Sequence, residues 1–240
     1  MALFLFDIDN TLVNTGGAGG KAMNLAFRDL FGIENGFQGV EFSGRTDTAI
    51  FRDALRLRRI PEDEFPALLR RFEDAYAAHL AHTLTETEGR VLPGIPQVVA
   101  TLAGTRGVRV GLATGNFRRG AMLKLEYYGL STHLREGGFG EDSEDRAQVV
   151  ALAVQRLEGD GSRTTASRRA GRPSSVFVVG DTPLDVEAAL ANGFAAVGVA
   201  TGRNSMDDLR AAGAGLVFPD FGDVDDVLRE LLGEAGVAPS

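Results

Sequence analysis

LFLFDIDNTLV, at residues 3–13 of this 240-residue chain, is the stretch from which its fold can be predicted. Apolar residues run without interruption from residue 2 to residue 6 and lead directly into two acids, Asp7 and Asp9. A short, uninterrupted apolar run that ends in polar residues is typical of a strand buried on both faces of a parallel sheet. The stretch therefore predicts a buried central strand with two carboxylates at its carboxyl end.

Four further segments have the same apolar, β-branched character and alternate with helical patterns from about residue 96 onward. The predicted strands are residues 108–114, 175–181, 195–201 and 214–218. The predicted helices are residues 117–128, 145–157, 183–191, 205–212 and 223–232. This alternation predicts an α/β fold in which helices flank a parallel sheet with right-handed crossovers.

The segment at residues 15–89 differs from the rest, because it has amphipathic helical stretches and no convincing strand. The helical stretches are residues 21–31, 46–57 and 62–80. TGGAGG at residues 15–20 and LPGIP at residues 92–96 have the glycine and proline content of hinges. We therefore predict an all-helical cap, residues 15–89, inserted into a core formed by residues 1–14 and 90–240.

The composition excludes several classes of protein. A net charge of −8 argues against nucleic acid or a membrane as partner. The absence of cysteine excludes disulfides, thiolate chemistry and cysteine-based zinc sites. No apolar run approaches the roughly 20 residues that span a bilayer, and the amino-terminal run is too short for a secretory signal. We expect a soluble cytoplasmic protein, either a monomer or a homodimer.

Polar residues follow three of the predicted strands, at the ends where open parallel sheets bind ligands. They are Asp7 with Asp9, Thr114 with Gly115 and Asn116, and Asp181 with Asp185. Clustered carboxylates raise one another's pKa unless a cation lies among them, and Mg²⁺ best combines carboxylate, water and phosphate ligands. One acid of such a cluster can attack phosphorus, and a second, two residues on, can handle the proton of the leaving group.

Three motifs in this order resemble those of the haloacid dehalogenase-like superfamily of phosphohydrolases. They are DIDNTLV at residues 7–13, LATGN at 112–116 and VVGDTPLDV at 178–186. The resemblance extends to about residue 200 and implies a Rossmann-like core with a helical cap. It implies that Asp7 is the nucleophile, Asp9 the general acid and base, and Thr114 a contact of the phosphoryl group. It also implies Mg²⁺ bound by Asp7, Asp181 and the backbone carbonyl of Asp9, with Asp185 supporting the site.

The superfamily's third motif, a lysine before the helix that precedes the fourth-motif strand, is missing from this chain. The corresponding place reads FGEDSEDRAQ, at residues 139–148. We predict that Arg146 replaces the lysine and neutralises Asp7 and the transferring phosphoryl group, with fork rather than point-charge geometry. The alternative is Lys124, on the helix after the second motif.

The cap contains a Gly-led turn into a helix, FSGRTDTAI at residues 42–50. In similar proteins such a loop reads the substrate, so we predict that Arg45 and Thr46 bind substrate together with Gly115 and Asn116. The outline is most similar to the phosphoglycolate-phosphatase-like group, which includes β-phosphoglucomutase. The segment at residues 159–175 carries four arginines and predicts a surface loop, or alternatively a phosphate or partner contact.

The function predicted by this resemblance is a Mg²⁺-dependent phosphatase that hydrolyses a small phosphorylated metabolite through an aspartyl-phosphate. Asp9 favours phosphate-ester chemistry, because the dehalogenase branch of the superfamily lacks an acid at that position. A phosphomutase, which passes the phosphoryl group to a sugar hydroxyl, and a catalytically silent binding protein on the same fold are the alternatives.

Overall fold

The amino-terminal apolar run forms a central strand in a computed structural model that describes residues 1–158 and 175–237. Within these residues, six parallel strands make one sheet. Their order is β5 (Gly137–Gly138), β4 (Val108–Ala113), β1 (Ala2–Phe6), β6 (Ser175–Gly180), β7 (Ala195–Val199) and β8 (Leu216–Phe218). All five residues of β1 are buried, as the uninterrupted apolar run predicts.

The register of the sheet brings the polar residues of three strands to one edge. Phe6, the last residue of β1, pairs with Leu112 of β4 and with Val179 of β6. The residues that follow each of these positions are the acids and the threonine expected at the ligand-binding end. Because the strands are parallel neighbours, Asp7, Thr114 and Asp181 lie side by side at the carboxyl end of the sheet.

Helices cover both faces of the sheet because successive residues of each strand point to opposite sides. Phe4 and Phe6 belong to a hydrophobic cluster shared with α4 (Ile95–Gly104), α5 (Arg118–Tyr127) and α9 (Val224–Glu234). Leu3 and Leu5 belong to a second cluster, shared with α6 (Arg146–Glu158), α7 (Pro183–Ala191) and α8 (Met206–Ala211). The core is therefore a three-layer helix–sheet–helix arrangement.

The segment inserted after β1 forms α1 (Ala18–Phe31), α2 (Asp47–Leu57) and α3 (Phe65–Glu86). These helices share a hydrophobic cluster of their own, rich in phenylalanine. Phe51 stacks on Phe72 with ring centroids 4.1 Å apart. An antiparallel ribbon, β2 (Val13–Asn14) with β3 (Arg90–Val91), joins the two connections to the core.

Three elements of the structure were not predicted from the sequence. The ribbon and β5 were missed because two-residue strands show no periodicity and glycine has little strand preference. The helix α4 was missed although its buried residues Ile95, Val98, Val99 and Leu102 have helical spacing. The division into a core and a cap at residues 15–89 stays a prediction. The arginine-rich loop predicted at residues 159–175 lies outside the described residues except for Ser175.

Among the described helices, none has the length and apolarity to cross a membrane.

Candidate active site

A cavity of about 340 Å³ lies between the helical insertion and the carboxyl ends of β1, β4 and β6. Its core side includes Asp7, Asp9, Asn116, Lys124, Arg146 and Asp181. Its insertion side includes an apolar wall of Met23, Val40, Phe42 and Ile50, together with Asp47 and Tyr76. The core side of the cavity is mostly charged, whereas the insertion side combines an apolar wall with charged residues such as Arg45 and Asp47.

Asp7 is held by the guanidinium of Arg146, which begins α6. Arg146 Nη2 lies 2.8 Å from Asp7 Oδ1, and both side chains are about nine-tenths buried. Asp7 Oδ2 has no hydrogen bond within residues 1–158 and 175–237, and Asp7 lines the cavity. Burial raises the pKa of Asp7 to about 6, and the positive charge of Arg146 partly offsets this rise. The pairing leaves one carboxylate oxygen free to face a ligand.

Asp185 connects Arg146 to the start of α7. Its Oδ2 accepts hydrogen bonds from the backbone N–H and the hydroxyl of Thr182, at 3.1 and 2.8 Å, in a capping box. Its Oδ1 lies 2.5 Å from Arg146 Nη2. Oδ2 of Asp185 is therefore hydrogen-bonded, whereas Oδ1 is buried, lies in an ion pair with Arg146 and has no hydrogen bond among the described residues.

Three of the buried acids could share a metal ion. Asp7, Asp181 and Asp185 each offer an oxygen, and these oxygens lie within 4.8 Å of one another. Burial, with the charges of Asp185 and Asp7, raises the pKa of Asp181 to about 8. A Cβ on Gly202 would lie 1.8 Å from Asp181 Oδ2, so the backbone closes tightly around this acid. An all-oxygen set of clustered carboxylates fits a hard divalent cation such as Mg²⁺.

Asp9 is held by residues other than those that hold Asp7. Its Oδ2 lies 2.5 Å from Lys124 Nζ and accepts a hydrogen bond from Asn116 Nδ2 at 2.9 Å. Lys124 also donates to Asn116 Oδ1 at 2.5 Å. The structure thus places Arg146 beside Asp7 and Lys124 beside Asp9, so each of the two candidate cations faces a different acid.

Thr114 and the residues after it shape the loop between β4 and α5. Thr114 is fully buried, and its hydroxyl oxygen accepts hydrogen bonds from the backbone and side-chain N–H groups of Asn116, at 3.2 and 2.9 Å. The backbone N–H of Gly115 has no hydrogen bond among the described residues, and Gly115 lines the cavity. This N–H is a candidate donor to an anionic ligand.

The two residues predicted to bind substrate from the insertion lie in different surroundings. Arg45 lines the cavity, and its Nη1 donates to Asp53 Oδ2 at 2.5 Å. Thr46 caps α2 through a 3.3 Å hydrogen bond from the N–H of Ala49, and its hydroxyl donates to the carbonyl of Glu144. Thr46 is buried and is not among the residues that line the cavity.

Sequence reasoning did not identify Asp47 and Tyr76, which also line the cavity. Asp47 is in the first turn of α2, where acids are common for helix stability alone, so it gave no distinct signal. Burial raises the pKa of Asp47 to about 7 and that of Tyr76 well above its usual range. The sequence pointed to Lys124 only as the alternative to Arg146, and the structure buries it on α5 beside Ala121 and Leu125.

Comparisons with known sequences identify the family of this chain. A sequence model of the family described as haloacid dehalogenase-like hydrolase matches residues 4–190. The "Probable phosphatase IndB" of Dickeya dadantii is 27% identical over 235 residues, covering 96% of this chain and 94% of that protein. The "Phosphoglycolate phosphatase" of Caulobacter vibrioides is 28% identical over 238 residues, covering 96% of this chain and 92% of that protein.

Solved structures share the fold at low sequence identity. A hydrolase from Pseudomonas syringae matches with a TM-score of 0.67 and 19% identity, covering 96% of this chain and 99% of its own. A protein of Thermotoga maritima assigned as a β-phosphoglucomutase matches with a TM-score of 0.59 and 20% identity, covering 97% of this chain and 100% of its own. These matches confirm the predicted α/β fold class.

Proposed function

Because the chain belongs to the haloacid dehalogenase-like hydrolase family, we propose that it is a Mg²⁺-dependent phosphatase of a small phosphorylated metabolite. The observation that carries the proposal is the separate placement of the two first-motif acids. Asp7 lies beside Arg146 with one oxygen free, whereas Asp9, two residues on, is held by Lys124 and Asn116. The phosphatase names of both sequence relatives support it.

In the first step, Asp7 Oδ2 attacks the phosphorus atom of the ester. The new Asp7–phosphorus bond forms while the bond from phosphorus to the ester oxygen breaks, which gives an aspartyl-phosphate. Arg146 and the N–H of Gly115 stabilise the negative charge on the phosphoryl oxygens. Asp9 gives its proton to the departing alkoxide, which leaves as an alcohol.

In the second step, water attacks the same phosphorus atom, and Asp9 takes its proton as general base. The Asp7–phosphorus bond breaks, and inorganic phosphate and a free Asp7 carboxylate result. Asp9 has returned to its protonated form, so the proton balance of the cycle closes. One residue thus serves as acid and then as base.

Mg²⁺ would be held by Asp7, Asp181 and the backbone carbonyl of Asp9, with Asp185 as support. When bound, it supplies positive charge beside the transferring phosphoryl group and offsets the repulsion among the acids. Thr114, predicted from the resemblance to contact the phosphoryl group, is fully buried and is not among the residues that line the cavity. Its hydrogen bonds to Asn116 would keep the Gly115–Asn116 turn in place.

The cavity favours a small substrate. Its volume of about 340 Å³ lies at the low end of ligand sites in general. The leaving group would lie against the wall of Met23, Val40, Phe42 and Ile50, with Arg45 at the same side of the cavity. A cytoplasmic location and a monomeric or homodimeric state stay predictions.

The test is turnover of p-nitrophenyl phosphate with and without EDTA. We expect activity that requires Mg²⁺, and loss of at least about 10⁴-fold in Asp7→Asn because the nucleophile is removed. Asp207→Asn is the matched control, since the Asp207 side chain is 93% exposed on α8. A rate retained in Asp7→Asn would contradict the proposed mechanism.

The phosphomutase alternative uses the same first step and differs in the acceptor of the phosphoryl group. The similarity to the Thermotoga maritima protein concerns the fold alone, so it does not distinguish a phosphatase from a phosphomutase. A mutase would be accelerated by a sugar bisphosphate primer, whereas a phosphatase releases inorganic phosphate without it. Failure to hydrolyse any member of a broad phosphate-ester panel, despite Mg²⁺ binding, would instead favour a silent binding protein.

A further inference from the structure

We infer that Lys124 is a positioning residue that, together with Asn116, fixes Asp9 by its Oδ2 oxygen and leaves Oδ1 to exchange protons with the leaving group and water. This inference rests on the proposed function. It assigns to Lys124 a role distinct from that of Arg146, which holds the nucleophile.

The burial of Lys124 is the first observation. Its side chain is 3% exposed, and removal of an ammonium group from water is costly unless the charge is paired and hydrogen-bonded. Lys124 lies on α5 among Gly120, Ala121 and Leu125, all buried. An apolar residue would fill this helix position at no such cost, so the contacts of the ammonium group account for its presence.

Those contacts form a closed set of three side chains. Lys124 Nζ meets Asp9 Oδ2 and donates to Asn116 Oδ1, and Asn116 Nδ2 donates to the same Asp9 Oδ2. Asn116 Nδ2 also donates to the hydroxyl oxygen of Thr114. Every polar atom of the Asn116 amide is therefore used, which fixes its orientation and, through it, the plane of the Asp9 carboxylate.

As a result, the two oxygens of the Asp9 carboxylate are not equivalent. Oδ2 accepts hydrogen bonds from Lys124 and Asn116, whereas Oδ1 has no hydrogen bond or ion pair within the described parts of the chain. The Asp9 side chain is 37% exposed and lines the cavity. A carboxyl group can carry a proton on Oδ1 while Oδ2 still accepts from Lys124.

The helical insertion shields this arrangement from one side. A Cβ on Gly19 of α1 would lie 3.5 Å from Lys124 Nζ and 3.7 Å from the Tyr76 hydroxyl, so the α1 backbone passes close to both groups. The proton then moves by a defined route. The bond from Oδ1 to its proton breaks as the alcohol O–H forms, and it forms again as the water O–H breaks.

The test compares two aryl phosphates of similar size, p-nitrophenyl phosphate and phenyl phosphate. Phenolate is the stronger base and depends more on a proton from Asp9, whereas p-nitrophenolate leaves readily without one. In Lys124→Met we expect kcat/KM, which reports the step in which the ester bond breaks, to fall by about ten-fold or more on phenyl phosphate and much less on p-nitrophenyl phosphate. Lys21→Met is the matched control, because Lys21 is the chain's other lysine and its side chain is 49% exposed.

A double-mutant cycle separates positioning from general structural damage. In an Asp9→Asn background, Lys124→Met should cause no further loss on phenyl phosphate, because the group that it positions is already gone. Thermal unfolding is measured for each variant, and if Lys124→Met does not fold, Lys124→Gln serves for the same comparison. Gln keeps a polar end in the buried position.

Equal losses of kcat/KM on the two substrates, or a full additional loss in the Asp9→Asn background, would overturn the role assigned to Lys124. A larger loss of kcat/KM on phenyl phosphate that disappears in the Asp9→Asn background would support it. An unmodified protein that hydrolyses no phosphate ester of a broad panel overturns the proposed function and this inference together. An active unmodified protein whose Lys124→Met variant loses equally on both aryl phosphates overturns this inference alone.

Discussion

Asp47, in the first turn of the insertion helix α2, accepts a hydrogen bond from the backbone N–H of Phe117, at the start of the core helix α5, at 2.9 Å. The N–H of Asp47 in turn donates to the carbonyl of Gly115 at 2.7 Å. Phe117, the residue that precedes α5, provides no side-chain cap, and the first amides of a helix favour a negative partner. The insertion therefore supplies an acceptor that α5 lacks, beside the residues that would hold a phosphoryl group.

Asp47→Ala should weaken this contact between the insertion and the core. We expect kcat/KM to fall by about 10- to 100-fold, because the Gly115–Asn116 turn loses a partner that fixes its position. Steady-state kinetics on p-nitrophenyl phosphate would measure the change. Asp74→Ala is the control, since the Asp74 side chain is 78% exposed on α3. Equal kinetics of the two variants would show that the contact is dispensable.

Asp47 should also make stability depend on pH. Burial raises its pKa to about 7, whereas in the unfolded chain the pKa lies at about 4. Between these values the folded protein holds a proton that the unfolded chain has released, so the free energy of unfolding falls as the pH rises through this window.

Asp47→Asn keeps an oxygen for the Phe117 N–H but has no charge. It should unfold at about the same temperature as the unmodified protein at pH 4 or below, and at a higher temperature above pH 7, by about 2–4 °C per kcal/mol. Thermal unfolding across this range measures the difference. A constant difference between the two proteins at all pH values would contradict the expected titration of Asp47.

Mg²⁺ should stabilise the folded protein, because it binds the clustered acids only when the chain is folded. At one hundred times its Kd, the unfolding temperature should rise by about 5–10 °C. At one fixed Mg²⁺ concentration the rise should be larger at pH 8 than at pH 6, because burial raises the pKa of Asp181 to about 8 and protons compete with the metal. Asp181→Asn should lose most of the shift, while Asp207→Asn should keep it.

Arg146→Met should leave Asp7 and Asp185 buried without their cation. Removal of one partner from a buried ion pair costs about 3–5 kcal/mol, so we expect a lower unfolding temperature and a loss of phosphatase activity. Arg146→Lys should lie between, because it keeps the charge but replaces the guanidinium with an ammonium group on a different stem. The fork geometry predicted from the sequence is not seen, since Arg146 Nη2 alone contacts both acids. Arg210→Met, at a side chain 54% exposed, is the control. A variant as stable as the control would contradict the pairing.

Much of the fold could be predicted because its signals are local. The apolar run of β1 and its neighbours in the sheet shows burial on both faces, and the helices between them show amphipathic periodicity. The family, inferred from three short motifs in order, is confirmed by the match over residues 4–190. The two-residue strands were missed, because pairing rather than residue preference creates them.

The candidate site could be predicted only in part. Asp7, Asp9, Asp181 and Asp185 follow strands, so their position in the chain indicates the edge of the sheet to which they belong. The sequence left Arg146 and Lys124 as alternatives for one role. Which acid each would face depends on how α5 and α6 pack against the sheet, and that packing placed them on different acids. Their roles in the reaction stay predictions.

The sequence by itself determined the fold class, the family and the strand ends that carry the acids, since each of these follows from short local motifs and periodicities. The tertiary structure decided the partners of those acids. Lys124 reaches Asp9 across 115 positions, and Asp47 reaches Phe117 across 70. Contacts of this kind depend on the relative placement of separate elements, and the cost of burying a charge makes them specific once the chain has folded.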